Sequence, residues 1–575
     1  MTHGAMTDGA MANGARIATL RRVRPPDGPA DLLVTGASVR TLDSAGTVAS
    51  ALTVTAGRIA AVGTSAVLRR LVGPRTRVLE LRGETVLPGF HDAHVHPPMG
   101  GRYLLLCDLH DLPWDRDAYL HRIREYAEAH PADAWIVGGG WGMPAFPGGT
   151  PSRGDLDSVV SDRPAWFENR DGHGGWANTA ALALAGVTAA TPDPPDGRIE
   201  REPDGRPQGT LHEGATRLVE RLLPPFSQAR WEEALRRAQA YLHGFGITAI
   251  TDAWVTPEHL SAYLALVGRG ELTLRTSLSL WWDRAGGLDQ LAWFGEARRS
   301  ASSGRLRATT VKLMLDGVLE NGTGALLEPY LDGAGRATDN RGITFIAADR
   351  LAGEIAPALD SAGFDLHMHA IGDRAVRAGL DAVAAVQARN GPADRRPHIA
   401  HIQLVHPTDV PRFAELGVGA NMQPLWAAWE AQMRDLTVPF LGPDRSARQY
   451  PFGSLARSGA RLVGGSDWSV STPNVLHEVE VAVNRVVPES RGVEPPFLPD
   501  ERIDLTPALR AFTSGGAWVH RLDEVTGALE PGMLADLVVL DRDLFDRGAG
   551  EIGDARVVLT LVEGDAVHVD PAFPC

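Results

Sequence analysis

Residues 86–97 read VLPGFHDAHVHP, a short apolar run that ends in His94 and His96. Side chains two positions apart on a β-strand point to the same side, so these two imidazoles face one point at the strand's end. Converging neutral imidazoles suit zinc, iron or nickel, although structural histidines explain an isolated pair equally well. His91 lies out of phase with the pair, and we expect it to pack in the interior or to support a ligand.

Apolar runs of strand length recur along the middle of the chain and alternate with amphipathic stretches. The eight runs begin near Val86, Ile247, Leu274, Thr310, Asp365, His398, Val418 and Leu462. Helical periodicity lies between most of them, as at 231–243, 351–362, 374–387 and 407–416. This alternation indicates parallel strands joined by crossover helices. Eight strands favour a closed barrel over an open doubly wound sheet, so the predicted fold class is α/β, a distorted TIM (β/α)8 barrel.

Both ends of the chain have the pattern of short β-strands separated by turns. β-Branched runs lie at 31–41, 51–62 and 77–81, and again at 535–540 and 556–569. We predict that they form one small β-sandwich built from both chain termini. The predicted boundaries are a disordered N-terminus at 1–29, the N-terminal part of the sandwich at 30–84, the barrel domain at 85–520, and the C-terminal part of the sandwich at 521–575.

The first predicted barrel strand is separated from the second by residues 97–228, which are rich in Pro, Gly and Trp. We predict a large insertion after the first barrel strand that covers the barrel mouth. A separate domain beside the barrel explains the same segment equally well.

Composition narrows the classes of partner. The chain has 575 residues with 71 acidic and 56 basic side chains, a formal net charge of −15, which argues against nucleic acid or an anionic membrane. Cys107 and Cys575 form no disulfide framework, and the sequence has neither a long apolar span nor an apolar leader. We therefore expect a cytoplasmic protein with a small-molecule substrate, and a homodimer as its assembly.

Lys312 is the single lysine of the chain, since every other basic residue apart from histidine is arginine. It lies in the apolar stretch VKLMLDG at 311–317, where burial disfavours the charged amine. A neutral amine can add CO2 and become a carbamate, an anionic oxygen ligand that arginine cannot supply. An unmodified lysine paired with a buried acid such as Asp316 is the alternative.

Three further predicted strands end in residue types that can bind a metal ion. His369 ends LHMH at 366–369, His401 ends HIAH at 398–401, and Asp467 follows VGGS at 463–466. A carboxylate at such a place can bind a metal and also accept a proton. Because the C-terminal ends of barrel strands share one rim, the side chains of all these strands predict a metal site there. His398, at the start of its strand, should instead pack or face solvent.

These stretches together resemble the amidohydrolase superfamily and, within it, the amidohydrolase-3 (YtcJ-like) family. The similarity extends from about residue 30 to about residue 570 and includes WIVGGGW at 135–141, HAIGDRAV at 369–376 and GALEPGMLADLVVLDRD at 527–543. The resemblance implies one divalent metal on His94, His96 and Asp467, a second on His369 and His401, and a bridging carboxylated Lys312. Zinc is the commonest occupant, and iron, manganese and nickel fit the same ligand types.

The implied activity is metal-dependent hydrolysis of a C–N bond in an amide, formamide or cyclic amide. A metal-activated hydroxide attacks the carbonyl, and Asp467 transfers the proton to the leaving amine. Two alternatives are an isomerase or decarboxylase/lyase that uses the same metal site, and a catalytically silent metal-binding protein.

Substrate selection is expected to come from loops at the barrel mouth. His173 in the insertion is predicted to bind a substrate oxygen or to anchor the insertion over the barrel mouth. Five residues that follow strand ends are predicted to line the pocket: Asp316, Glu320, Gln423, Trp426 and Trp468. For the tryptophans, packing between lid and barrel is the alternative.

Overall fold

The structure is a computed structural model that describes residues 28–302, 304–546 and 548–573. Most of the predicted disordered segment 1–29, and Cys575, lie outside the described residues. Three β-sheets organise the described chain: a barrel sheet, a terminal sheet and the sheet of an insertion.

The barrel sheet has eight strands in sequential order, and each one pairs in parallel with the next. They are Phe90–Val95, Ile247–Val255, Arg275–Trp281, Leu306–Met314, Asp365–Ala370, His398–His401, Gly419–Met422 and Arg461–Gly464. The first and eighth strands meet at the mouth, where the amide of Asp467 donates to the carbonyl of His94 at 2.8 Å. The sheet is therefore nearly closed, which confirms the distorted TIM barrel.

Helices surround the barrel, and their ends follow local sequence signals. Pro257–Arg269, for example, begins after Thr256, whose side chain accepts from the backbone of His259, and ends at Gly270 with a φ of +71°. Apart from the two main helices of the insertion given below, the other helices of six residues or more are Pro97–Tyr103, Gln228–Gly244, Gln290–Ser300, Ala356–Ser361, Asp373–Asn390, Val410–Leu416, Phe452–Arg457, Val475–Asn484 and Leu505–Arg510. None of the described helices is both long enough and apolar enough to pass through a lipid bilayer.

The apolar run at Val86 does not begin the first barrel strand, so that prediction was wrong. Thr85–Pro88 pairs with Leu537–Leu540 in the terminal sheet, and the barrel strand begins only at Phe90. Gly89 separates the two strands, and a Cβ at this position would overlap the side chain of Thr248. A single glycine between two buried strands leaves the hydrophobic pattern uninterrupted, so the pattern alone does not locate the break.

The terminal sheet combines strands from both chain ends, which confirms the sandwich built from both termini. Its strands are Leu32–Arg40, Val48–Thr55, Arg58–Gly63, Arg77–Glu80, Thr85–Pro88, Leu537–Leu540, Val557–Val562 and Asp565–Val569. Arg275 at the start of the third barrel strand holds this sheet to the barrel, with Nε 2.7 Å from Asp536 Oδ2 and Nη2 2.6 Å from Glu563 Oε1. The exact domain boundaries stay predictions.

The insertion follows the first barrel strand, as predicted, and folds around its own sheet. The six strands are Cys107–Asp108, Ile136–Trp141, Ala165–Asn169, Gly174–Ala177, Gly197–Arg201 and Pro207–Glu213, and its main helices are Arg116–Ala129 and Thr179–Ala185. Trp141, Trp166 and Trp176 are fully buried in its cores. At the edge facing the barrel, His173 and Glu213 line the cavity at the barrel mouth.

Candidate metal centre

One cavity of about 410 Å³ at the C-terminal ends of the barrel strands contains every predicted ligand. Its lining includes His94, His96, Lys312, His369, His401 and Asp467. The ring centroids of His94 and His401 lie 4.7 Å apart, and those of His369 and His401 lie 4.5 Å apart. Side chains from five strand ends, far apart in sequence, therefore meet at one point, as expected from the barrel topology.

The tightest group consists of His94, His96 and Asp467. Asp467 Oδ1 lies 3.2 Å from His94 Nε2 and 3.0 Å from His96 Nε2, and one ligand atom from each of the three residues lies within 4.8 Å of the others. In the described part of the chain, no other group of three His, Cys, Asp or Glu side chains has this spacing. Donor atoms so close together can contact one cation, since zinc–nitrogen and zinc–oxygen distances are about 2.0–2.2 Å.

A hydrogen-bonded chain behind His94 connects its Nδ1 to a buried histidine and two buried hydroxyl groups. His94 Nδ1 lies 2.8 Å from His367 Nε2, His367 Nδ1 lies 2.8 Å from Ser279 Oγ, and Ser279 Oγ lies 2.6 Å from Thr310 Oγ1. The chain ends where the Thr310 hydroxyl can donate to the carbonyl of Leu278 at 3.3 Å. When Thr310 donates to this carbonyl, every donor of the chain points the same way and His94 donates from Nδ1; when Thr310 donates to Ser279 Oγ instead, every donor is reversed. We assign the first direction, because it leaves His94 Nε2 unprotonated, the form that binds a metal.

This assignment places two acceptors opposite each other, His94 Nε2 and Asp467 Oδ1. Two acceptors 3.2 Å apart repel each other unless a cation lies between them. Burial also lowers the pKa of His94 and of His369 well below the usual value, and lowers the pKa of His401 to about 3, so the imidazoles are neutral ligands. The residues present therefore fit a divalent metal.

His367 is a positioning residue for His94, and its removal should weaken metal binding rather than unfold the barrel. We expect His367→Asn to raise the zinc Kd by about 10- to 100-fold, because the ring of His94 loses its orienting acceptor. The Kd is measured by competition with a chelator, and kcat at saturating zinc should stay within about 5-fold of wild type. Ser279→Ala, one link further along the chain, is the control and should have a smaller effect. An unchanged zinc Kd in His367→Asn would contradict this role.

Lys312 lies on the fourth barrel strand with only 2% of its surface exposed. Its Nζ is 3.3 Å from His94 Nε2, and no carboxylate of the described residues forms a salt bridge with it. Burial lowers the pKa of Lys312 to about 7, although the nearby charges of Asp467 and Asp252 oppose this shift. The amine at the metal centre is thus neutral in a large fraction of molecules at neutral pH, as carbamate formation requires.

The alternative pairing of Lys312 with Asp316 is not formed. The Asp316 carboxylate accepts hydrogen bonds from the backbone amides of Ala325 at 2.8 Å, Ile371 at 3.0 Å and Gly372 at 2.8 Å. These bonds tie the loop after the fourth strand to the end of the fifth, and Asp316 does not belong to the cavity lining. Its carboxylate therefore shapes the loops beside the site, and its Oδ1 also lies 3.6 Å from Nε2 of the candidate ligand His369.

Two of the predicted ligands have unusual backbone conformations. His401 has a φ of +77° and Asp467 a φ of +55°, and this left-handed region costs a non-glycine residue about 1–3 kcal/mol. Gln423 Oε1 holds His401 by accepting from its backbone amide at 2.9 Å, which turns the Gln423 side chain away from the cavity lining. Such strain at two strand ends is typical of sites where side-chain direction matters more than stability.

The remaining predicted pocket residues fall into two cavities. His173 lines the metal cavity with its ring centroid 5.3 Å from that of His369, and its Nδ1 lies 3.0 Å from Glu213 Oε1. Burial alone would lower the pKa of His173, but the Glu213 carboxylate outweighs it and raises the pKa to about 9. Trp426 stacks on His401 with centroids 5.3 Å apart and lines both cavities. Glu320 and Trp468 line only a neighbouring cavity.

Several cavity residues were not predicted from the sequence. Trp254 and Trp281 stack with centroids 4.6 Å apart at the ends of the second and third barrel strands. Their position at strand ends was a usable signal, because the predicted ligands occupy the same place on other strands. Glu213 and Arg284 had no such signal, since the insertion and a loop bring them to the barrel mouth.

A nearly closed parallel barrel with histidines, an aspartate and a buried lysine at its C-terminal rim defines the class of metal-dependent barrel hydrolases. The chain belongs to the amidohydrolase family, whose family model matches residues 77–568. This membership confirms the resemblance inferred from the sequence motifs.

The chain is similar over nearly its whole length to several known proteins. It is 33% identical to protein LONG AFTER FAR-RED 3 of Arabidopsis thaliana, covering 96% of this chain and 94% of that protein. It is 28% identical to an N-substituted formamide deformylase of Arthrobacter pascens, covering 93% and 97%. Among solved structures, an uncharacterized metal-dependent hydrolase from Pyrococcus horikoshii has a TM-score of 0.70 at 25% identity, covering 90% of this chain and 99% of that chain.

Proposed function

We propose that this protein is a metal-dependent amidohydrolase that cleaves a non-peptide C–N bond in an amide, formamide or cyclic amide. The observation that carries the proposal is the group of His94, His96 and Asp467 at the bottom of a cavity, with the neutral amine of Lys312 beside it. Similarity to a formamide deformylase over nearly the full length of both chains supports the bond type.

In this proposal His94, His96 and Asp467 hold one ion, and His369 and His401 hold a second. The neutral amine of Lys312 could add CO2 with formation of an N–C bond and loss of one proton, and the carbamate would supply anionic oxygen ligands to the metal centre. When bound, a divalent metal ion, with zinc as the first choice, would polarise the substrate carbonyl and lower the pKa of a bound water molecule towards about 7.

The side chains of the cavity carry the proton transfers and the orientation of the substrate. The Asp467 carboxylate accepts a proton from the attacking water and returns it to the leaving nitrogen. His173 has its Nδ1 engaged by Glu213, so its Nε2 is the nitrogen available to donate a hydrogen bond to the substrate oxygen. The indoles of Trp254 and Trp281 supply a flat apolar wall for the substituent next to the bond that breaks.

The proposal is tested with a panel of N-formyl amines, N-acetyl amines and hydantoin-like rings on the zinc-loaded protein in bicarbonate buffer. We expect amine release from at least one class with a kcat/KM of about 10,000 M⁻¹s⁻¹ or more. In water enriched in oxygen-18, hydrolysis places one labelled oxygen in the released acid. The chelator-treated protein is the control and should be inactive.

The same experiment separates the two alternatives. Turnover of a panel member without label in the product would assign the site to an isomerase or lyase. Hydrolysis of a hydantoin-like ring releases no amine, because the nitrogen stays in the opened product, and the labelled carboxylate identifies it. Absence of turnover throughout the panel, with zinc bound, would instead favour a silent metal-binding protein.

A further inference from the structure

A second cavity of about 260 Å³, here called the side cavity, adjoins the cavity of the metal centre. The two share wall residues, among them Asp171, Trp426 and Ser469, so a molecule bound in one can extend into the other. None of the six candidate ligands belongs to the described lining of the side cavity. It is therefore placed to hold a part of the substrate remote from the bond that breaks.

Aromatic rings form much of the wall of the side cavity. They belong to Trp114, Trp141, Tyr241, Trp426, Tyr450 and Trp468. Trp468 is buried and lies against Tyr241, with ring centroids 5.2 Å apart. Rigid rings give apolar contact area, and their electron-rich faces attract cations.

Carboxylates outnumber arginine and lysine side chains in the same wall. The acids are Asp111, Asp171, Glu320 and Glu430. Arg170 is the one arginine or lysine in the described lining, and its Nη2 donates to the carbonyl of His110 in the insertion. Burial also lowers the pKa of Arg170. The charge of His173 also acts on Asp171, so the chain supplies Arg170 and His173 as positive groups near the four acids of this cavity.

Glu430 is the clearest case of a missing partner. Its carboxylate forms no hydrogen bond and no ion pair with any described residue, and Arg170 acts on it only through the longer-range field. Burial raises the pKa of Glu430 to about 7, and raises the pKa of Asp171 and of Glu320 as well. Glu430 is partly exposed, so an uncharged ligand that filled the side cavity would cover this carboxylate and leave it unpaired, which is costly, whereas a ligand cation would pair with it.

We propose that the side cavity binds a cationic group of the substrate, an ammonium or guanidinium group, and that the substrates are amides with a positively charged substituent. The statement about amides rests on the proposed function, whereas the cation site does not. A neutral aryl substituent is the competing occupant, since the same rings would accept it.

Binding alone tests the cation site on the zinc-loaded full-length protein. Benzylammonium and benzyl alcohol have nearly the same shape and differ in charge, and calorimetric titration at pH 7 gives the Kd of each. We expect benzylammonium to bind about 10-fold more tightly or better, because the ring faces and the carboxylates both favour the cation. Equal or tighter binding of benzyl alcohol would overturn the proposal.

Two variants locate the site. Glu430→Gln keeps the size of the side chain and should remove most of the preference for benzylammonium. Glu415→Gln, on the exposed surface of the helix Val410–Leu416, is the matched control and should keep it. A preference that survives in a folded Glu430→Gln protein overturns the assignment to the side cavity. Should Glu430→Gln not fold, Tyr450→Leu, which removes one ring of the side cavity, must reduce the preference instead.

Measurements of turnover then test whether the side cavity contributes to substrate selection. We expect the kcat/KM of N-formyl-4-(aminomethyl)benzylamine to exceed that of N-formyl-4-methylbenzylamine by about 10-fold or more, and the ratio to approach 1 in Glu430→Gln. Cleavage of both compounds at equal rates would overturn the cation site and leave the hydrolase proposal standing. Cleavage of neither, with Glu430-dependent binding of benzylammonium, would overturn the hydrolase proposal and leave the cation site standing.

Discussion

Replacing Asp467 by asparagine is expected to lower kcat by about 1,000-fold or more while the barrel stays folded. Asparagine has nearly the same shape and keeps one oxygen near His94 and His96, but its amide cannot accept the proton of the attacking water. The loss should therefore appear in kcat at saturating substrate, measured as amine release from the substrate identified in the panel.

The metal content decides how this result is read, because Asp467 is also a candidate ligand. Zinc per chain is measured by mass spectrometry in the same samples, and kcat is compared at full occupancy. Asp339→Asn changes an exposed aspartate outside the cavity and should have wild-type activity. A metal-replete Asp467→Asn enzyme with normal turnover would contradict the proton-transfer role.

Replacing Lys312 is expected to have an equally large effect. Lys312→Met fills the same buried space without an amine, so we expect a folded protein with about 1,000-fold lower kcat and weaker zinc binding. Lys312→Arg should in addition be less stable by several kcal/mol, because the guanidinium stays charged where burial disfavours charge. Activity, the zinc Kd and the free energy of unfolding are the measurements.

Carbon-13 NMR tests the carbamate directly. Because Lys312 is the single lysine, a lysine carbamate signal from labelled bicarbonate has only one source in the chain, and Lys312→Met provides the blank. Wild-type turnover in Lys312→Met would contradict the role of the amine. A zinc-loaded, active wild-type protein without the signal would contradict the carbamate alone.

The two substitutions test different properties of the same centre. Asp467 is predicted to move a proton, so its loss should appear in kcat with the metal retained. Lys312 is predicted to bridge the ions, so its loss should reduce the metal affinity and kcat together. His367 differs from both, because its loss should change the metal affinity and leave kcat nearly unchanged at saturating zinc.

The barrel and its candidate ligands were predictable because the signals are local. A strand that ends in histidine shows its chemistry within a few residues, and parallel barrel strands place all such ends on one rim. His94, His369, His401 and Asp467 needed only this rule. Lys312 was identified from the composition, because it is the single lysine in the sequence.

Loop residues were less predictable, because position after a strand end does not determine what a side chain meets. Asp316 was expected in the pocket but is bonded to three backbone amides, two of which lie more than 50 positions away in sequence. Gln423 was expected there too, yet it holds the strained backbone of His401. Both roles depend on where other loops fold.

By itself the sequence determined the class of fold, and it predicted the rim of the candidate site and the side chains proposed to bind a metal. Periodicity and residue type are properties of short segments, so they can be read from the sequence alone. Only the tertiary structure decided that the barrel begins at Phe90, that His367 Nε2 lies 2.8 Å from His94 Nδ1, and that Glu430 lies unpaired in an aromatic side cavity. These depend on distances between segments remote along the chain, and such distances follow from the packing of the whole molecule.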